Sequence, residues 1–268
     1  MSINPELWHL LKGDQDFKIE SEFKDHNTRS NDPLRITVLS DTHTKHDELS
    51  MDPSDLPGGD LLIHAGDIMN SGYKQSEITD FLTWFDSLNQ YDAVVFIAGN
   101  HDRFFEYNPE EVKEILSNAW STYLQDNTMI YINKEQTQGC KIYGSPWQPE
   151  FYSWAFNLPR GGEDLMQVWN QIPKDTDILI THGPPQDHLD VSGPPYNQPH
   201  LGCELLREKV DEHPPKIHVF GHIHGGYGYK FYNGTHFFNA SVLNERYEYV
   251  NKPVTFDWYP VTNEIEFL

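Results

Sequence analysis

Five stretches of this chain end an apolar run in residues able to ligate a metal ion. They are Asp41-Thr42-His43, Gly66-Asp67, Gly99-Asn100-His101-Asp102, His182-Gly183-Pro184-Pro185 and Gly221-His222-Ile223-His224. Imidazole nitrogens and carboxylate oxygens suit Mn²⁺, Fe or Zn²⁺, and the lack of cysteine ligands disfavours a purely structural zinc site. A carboxylate has two oxygens, so one aspartate can bridge two cations about 3.5–4 Å apart. Such a pair can hold a hydroxide at neutral pH and clamp a phosphate in line with it. Taken singly, an aspartate after glycine is ordinarily a turn residue, and a histidine at a strand end is ordinarily a hydrogen-bonded structural one. The same grammar repeated at five strand ends points to one shared site.

The elements that must carry these residues read as strands alternating with helices. Apolar, β-branched runs cover residues 35–40, 60–66, 93–99, 177–181 and 216–221. Short continuous runs of this kind suit strands buried on both faces. Helical spacing recurs in Ile78, Phe81, Leu82, Phe85 and Leu88, in Val112, Ile115, Leu116 and Ala119, in Leu165, Val168, Trp169 and Ile172, and over 201–210. Asn108-Pro109 with Glu111 marks a helix start. Strand–helix alternation predicts an α/β fold, and in open α/β sheets ligands bind beyond the carboxyl ends of the strands. All five clusters would then share one rim. Asn233-Gly234 and Thr262-Asn263 predict hairpins over 227–240 and 254–268, and with them a second, partly antiparallel sheet.

The chain has 268 residues, room for one large domain, with 37% hydrophobic and 22% charged residues. Residues 1–33 are polar and weakly patterned and read as an N-terminal extension; 34–268 read as the domain. No apolar run is long enough to span a bilayer, and the N-terminus lacks the pattern of a signal peptide, so a cytoplasmic protein without membrane partners is expected. Cys140 and Cys203 read as reduced thiols. With 19 basic and 41 acidic residues the net charge is −22, which would repel long nucleic acids and favours small phosphates as partners. Nothing in the sequence specifies an oligomeric state. His64 lies inside a strand and reads as structural. His9, His26, His46, His188, His200, His213, His218 and His236 are read the same way.

The motifs D-x-H, G-D, G-N-H-D, H and G-H-x-H, in this order from Asp41 to His224, resemble those of the calcineurin-like metallophosphoesterase superfamily. The segments IAGNHD, IYGSPWQPEFYSWAFNLPRG, DILITHGPP and HVFGHIHGGYG are similar to its metallophosphoesterase-domain-containing members. The resemblance implies an α/β fold of two mixed β-sheets packed as a sandwich flanked by helices, with a site for two divalent transition-metal ions at one edge. It implies that Asp41, His43, Asp67 and His224 hold one metal, that Asn100, His182 and His222 complete the second, and that Asp67 bridges. His101 would contact the phosphate and protonate the leaving oxygen. Some mammalian members carry Gly where His222 stands, which impairs the second metal; here the ligand set is complete. The implied reaction is phosphodiester hydrolysis by metal-bound hydroxide, with small nucleotides, cyclic ones included, as the suggested substrates. A phosphomonoesterase or protein phosphatase, and a non-catalytic nucleotide-binding scaffold, stay open as alternatives.

Substrate contacts are read from Asn100, Arg103, Arg160 and an aromatic segment, 146–162. Its rings Trp147, Phe151, Tyr152, Trp154 and Phe156 read mainly as packing residues, with Trp147 or Trp154 as the candidates to stack on a base. Gly225-Gly226-Tyr227-Gly228 reads as a flexible turn.

Overall fold

The computed structural model describes residues 32–49, 53–193 and 200–268. In chain order its elements are β1 (Leu34–Leu39), α1 (His46–Leu49), β2 (Gly59–His64), α2 (Gln75–Phe85), β3 (Tyr91–Phe96), α3 (Arg103–Tyr107), α4 (Pro109–Leu116), β4 (Thr122–Tyr123), β5 (Asn127–Ile132) and β6 (Gly139–Ser145). Then follow β7 (Gln148–Pro149), β8 (Asn157–Leu158), α5 (Glu163–Trp169), β9 (Ile178–Thr181), α6 (Glu204–Glu212), β10 (Ile217–Phe220), β11 (Gly228–Tyr232), β12 (Thr235–Asn239), β13 (Val254–Tyr259) and β14 (Glu264–Phe267).

Two six-stranded sheets result, in the orders β14-β13-β1-β2-β3-β4 and β11-β12-β10-β9-β6-β5. In the first, β1 to β4 are parallel and β13 is antiparallel to both of its neighbours. In the second, β12, β10, β9 and β6 are parallel, with β11 and β5 antiparallel at the edges. Both sheets are therefore mixed.

Strand residues alternate between two cores, which is why the sequence shows continuous apolar runs. Ile36, Val38, Leu61, Ile63, Val95 and Ile97 of the first sheet pack with Ile142, Ile178, Ile180, Ile217, Val219 and Phe238 of the second. The intervening residues Leu62, Val94, Phe96, Leu179 and Phe220 join the helices through Phe81 and Phe85 of α2, Leu165 and Val168 of α5, and Leu206 and Val210 of α6. Each aliphatic side chain buried this fully contributes about 1.5–3 kcal/mol.

Among the described strands three histidines interrupt the apolar pattern: His64 in the first sheet, and His218 and His236 in the second. His64 on β2 and His218 on β10 are fully buried, and the Nε2 of each meets a threonine hydroxyl: Thr42 at 3.0 Å and Thr181 at 2.9 Å. Burial pushes His64 down to about 3. Burial, reinforced by the neighbouring His188, holds His218 well below the ordinary imidazole range. Both are neutral structural residues, as expected for His64 from its place within an apolar run, although β2 ends at that residue.

The expected strands and helices are present with ends shifted by a few residues. Asn108 precedes α4 without a side-chain cap, leaving Pro109 to start the helix. Cys203 caps α6, its Sγ accepting the Leu206 N–H at 3.4 Å; it and Cys140 are buried and not joined by a disulfide. Both C-terminal hairpins form, with Asn233, Gly234 and Asn263 at positive φ. They do not, however, make a sheet of their own. β12 extends the second sheet beside β10, and β13 returns to the first beside β1. The reason lies in the inner core: Phe256 from β13 stacks on Phe238 from β12, centroids 4.6 Å apart and planes at 4°, so the two hairpins clamp the sandwich from opposite sheets. The expected extension, Asp32 and Pro33 apart, lies outside the described residues, as do His9 and His26. Among the described residues no helix is long and apolar enough to cross a membrane.

Candidate metal centre

The carboxyl ends of β1, β2 and β3 deliver Asp41, Asp67 and Asn100-His101; those of β9 and β10 deliver His182, His222 and His224. The two sheets meet there through polar contacts. His182 Nε2 lies 2.9 Å from Asn100 Oδ1 and 3.4 Å from Asp67 Oδ1. His224 Nε2 lies 3.3 Å from Asp41 Oδ1, and the His222 N–H donates to both Asp41 oxygens at 3.2 and 3.0 Å. The His222 ring stands 5.0 Å from the His182 ring. The backbone takes the left-handed region at Asp41 (φ 57°), His43 (42°), Asp67 (57°) and His222 (66°). For non-glycine residues this strain, of order 1–3 kcal/mol each, clusters at functional sites. Gly221 is required by close approach: a Cβ there would collide with the Asp41 carboxylate and the Ser40 hydroxyl.

Four imidazoles are oriented in one way. Each Nδ1 meets a backbone carbonyl: His43 with Met69 (3.1 Å), His101 with Asn70 (2.6 Å), His182 with Ala65 (3.0 Å) and His224 with Asn244 (2.8 Å). A carbonyl can only accept, so Nδ1 carries a hydrogen and Nε2 is the atom turned toward the cluster, the arrangement that orients metal-ligating histidines. His43 Nε2 is buried with no hydrogen-bond partner, 3.6 Å from Asp67 Oδ2 and 4.0 Å from Asp41 Oδ1. A bound cation would satisfy it. Ligand atoms gather within 4.8 Å in three groups: Asp41, His43 and His224; His43, Asp67 and His101; Asp41, Asp67 and His182. The chain thus has two closely spaced His/Asp clusters able to coordinate two divalent ions.

The electrostatics fit cationic occupants. Burial alone would raise the Asp41 and Asp67 carboxyls, but surrounding imidazoles, His224 for Asp41 and His182 for Asp67, hold both well below the usual carboxylate range. Burial pushes His43 and His222 down to about 3, leaving them neutral. Burial also opposes charge on His182, but Asp67 overcomes it and raises the imidazole to about 9. The proton held there is one a metal would displace. Asp102, by contrast, is lifted to about 8 by burial and by Asp67. Its carboxyl oxygens accept the N–H groups of Gly99 (2.7 Å), Met69 (2.8 Å) and Ile68 (3.3 Å), lacing the β2 and β3 endings together.

Three features escape sequence reasoning. Asp102 lies in a recognised cluster, yet its clamp depends on backbone geometry. Tyr247 sets its hydroxyl 3.4 Å from His101 Nε2 and its ring edge-on to His43 at 4.8 Å; nothing in its neighbourhood in sequence suggests this. Trp154 stacks on His101, centroids 3.9 Å apart and planes at 22°, while the Arg103 guanidinium lies 4.0 Å over the same side chain and donates to the Ser153 carbonyl. Trp154 is therefore committed to the protein rather than open to a base. So is Trp147, buried with its indole N–H on Asp126 at 2.7 Å. Arg160 is not brought into the cluster. Its guanidinium donates to the Leu201 and Gly202 carbonyls and to Glu204, fastening 146–162 to the start of α6. The glycines after His224 form a packed 3-10 turn, not a flexible one: a Cβ on Gly226 would strike the Leu189 carbonyl. His46, His188, His200, His213, His218 and His236 lie outside the three ligand groups.

Comparison with known proteins agrees with this geometry. Metallophosphoesterase domain-containing protein 1 of Homo sapiens is 40% identical over 247 residues, covering 83% of this chain and 70% of that protein, and the Mus musculus protein of the same name gives the same figures. A UPF0046 protein of Caenorhabditis elegans is 35% identical over 280 residues, covering 93% and 66%. The crystal structure of TT1561 from Thermus thermophilus shares the fold, with a TM-score of 0.59 at 13% identity, covering 88% of this chain and 98% of that one. The family model for calcineurin-like phosphoesterases matches residues 34–226, which hold every residue of the three ligand groups, and the chain belongs to that family.

Proposed function

We propose that the chain, through a domain spanning 34–268, hydrolyses phosphodiesters of small molecules at a dinuclear centre. Asp41, His43, Asp67 and His224 would hold one ion, and Asp67, Asn100, His182 and His222 the other. The observation that carries this reading is the orphaned Nε2 of His43 between two carboxylates, beside three further imidazoles whose Nδ1 atoms are tied to carbonyls. Bound there, two transition ions such as Mn²⁺, Fe or Zn²⁺ supply charge neutralisation for the phosphate and a water acidified to near neutrality.

The chain's own residues would do the rest. The two Asp67 oxygens face different neighbours, Oδ2 toward His43 and Oδ1 toward His182 and the His101 N–H, as a bridging carboxylate requires. His101 keeps Nδ1 on Asn70, so it delivers a proton to the leaving oxygen from Nε2 as imidazolium. Trp154 fixes the plane of that ring, and Tyr247 stands beside the nitrogen. Asp102 keeps the Asp67 and Asn100 loops in register.

The test is turnover by metal-loaded protein on matched mono- and diesters. Faster hydrolysis of diesters, abolished in Asp67→Ala, supports the reading. Preference for monoesters would replace it with a phosphomonoesterase, and bound metal without turnover on either series would favour a binding scaffold.

A further inference from the structure

Exposed aromatic rings border the metal centre. Phe151, 48% exposed, packs edge-on against the His222 imidazole, centroids 5.8 Å apart. Tyr247, 38% exposed, packs against three imidazoles: His43 at 4.8 Å and 71°, His224 at 5.5 Å and 73°, and His101 at 6.1 Å and 57°. Tyr247 also carries a hydroxyl, which lies 3.4 Å from His101 Nε2. Packing against imidazoles needs only the ring, so the hydroxyl calls for a separate explanation.

The turn that presents Tyr247 is tied to the centre itself. The Asn244 carbonyl accepts the Tyr247 N–H at 2.8 Å and the His224 Nδ1–H at 2.8 Å, so one oxygen both closes the turn and orients an imidazole of the cluster. Asn244 Oδ1 accepts the N–H groups of Arg246 (2.9 Å) and Glu248 (3.0 Å), and Lys45 Nζ donates to the Tyr247 carbonyl at 2.7 Å. Tyr247 sits at φ 60°, a left-handed conformation that is costly for a bulky residue and clusters at functional sites. The fold therefore holds this ring where it stands.

His101 Nδ1 is tied to the Asn70 carbonyl, which leaves Nε2 as the nitrogen that serves the leaving oxygen. At 3.4 Å the contact between the hydroxyl and Nε2 is longer than a strong hydrogen bond. An ester oxygen about 2.8 Å from Nε2 can also sit about 2.8 Å from a hydroxyl placed there, the three atoms making a triangle. That oxygen is a better acceptor than the imidazole, because negative charge gathers on it as its bond to phosphorus breaks.

We propose that Tyr247 is a catalytic residue whose hydroxyl donates a hydrogen bond to the leaving oxygen beside His101. The proposal rests on the reading of the rim as a phosphoester site and adds a second donor there. The P–O bond to the leaving group breaks as the oxygen of water bonds to phosphorus. The leaving oxygen keeps the electron pair and takes the His101 proton. His101 recovers a proton from the water consumed, and Tyr247 keeps its own.

The test compares the full-length, metal-loaded chain with Tyr247→Phe, which keeps the ring and removes the hydroxyl. Affinity for orthovanadate, whose five-coordinate form places an oxygen in the leaving position, is measured by calorimetry and needs no turnover. The variant should bind it more weakly by about tenfold or more, the order expected for one hydrogen bond to a charged group. Its kcat on alkyl diesters should fall by a similar factor. On nitrophenyl diesters, whose leaving oxygen gathers less charge, kcat should stay within about twofold of wild type. Metal content, read by atomic emission, should match the wild-type chain. A variant with wild-type vanadate affinity overturns the proposal, as does a wild-type chain that binds no vanadate. An equal loss of kcat on both leaving groups also overturns it, moving the hydroxyl to another oxygen. Loss of metal in the variant does so too, making Tyr247 a structural support. A wild-type chain without turnover sinks the hydrolase and leaves vanadate binding to decide for Tyr247. Diester turnover beside a variant that keeps wild-type rates and vanadate affinity does the reverse.

Discussion

His101 has the most exacting position of any single residue in the proposed chemistry. Its backbone N–H reaches Asp67 Oδ1 at 2.7 Å, its Nδ1 reaches Asn70, and its ring lies against Trp154. Three anchors leave Nε2 as the free end beside Tyr247. In His101→Ala, turnover of diesters with alkyl leaving groups should fall by about 10²–10⁴-fold, the usual range for losing a general acid. Turnover of nitrophenyl diesters should fall less, because nitrophenolate leaves without a proton. Metal content, read by atomic emission, should stay at the wild-type level. An equal loss on both leaving groups would assign His101 to phosphate binding alone. At this scale the ligand types were legible in the sequence, since Asp, Asn and His at strand ends declare their chemistry. Tyr247 was not: it meets His101 from 146 positions away, and a tyrosine in a polar stretch carries no local signal of such a contact.

At the scale of elements, the strand endings set the geometry. The five endings were legible because parallel strands buried on both faces write continuous apolar runs that stop where the ligands begin. The hairpins were legible as hairpins but not as members of different sheets, because turn residues fix local pairing and not the neighbouring strand. Segment 146–162 was legible as packed aromatics, but which rings are spent and which are displayed depends on contacts with α3 and β10. The chain leaving β10 passes close against the chain leaving β1 at Gly221. Gly221→Ala forces a methyl group into the Asp41 carboxylate, which also accepts the His222 N–H and the Ser241 hydroxyl at 2.8 Å. Overpacking of this kind costs about 1–3 kcal/mol or more. The variant should melt at lower temperature and retain less metal, as read by calorimetry and emission on the same sample. Unchanged metal retention would show that the Asp41 position tolerates displacement and that metal binding does not depend on this close packing.

Across the whole molecule, both sheets bury a neutral histidine against a threonine hydroxyl, and this ties folding to pH. In the unfolded chain His64 and His218 protonate near the ordinary value of 6.5, whereas in the folded chain they stay neutral well below it. The unfolded state therefore binds more protons as pH drops, and stability falls from about pH 6.5 toward pH 3. By pH 4.5 His64 alone should account for about 2–3 kcal/mol. Urea denaturation of metal-free protein at pH 7.5 and 4.5 reads this directly. His64→Gln/His218→Gln should lose less stability between the two pH values than the wild-type chain, and an equal loss would move the acid sensitivity to the metal ligands. The net charge of −22 acts at the same scale. Cations bound in the centre would offset that charge locally for a small phosphate ester arriving at the rim.

The claim beneath all of this is that one rim binds two ions, and a titration of metal-free protein with Mn²⁺ or Zn²⁺ tests it without reference to any substrate. A dinuclear rim should take up two ions per chain in the wild type, close to one in His222→Ala, and should lose tight binding at both positions in Asp67→Ala. A wild-type chain that binds a single ion, or none after reconstitution with either metal, would contradict it.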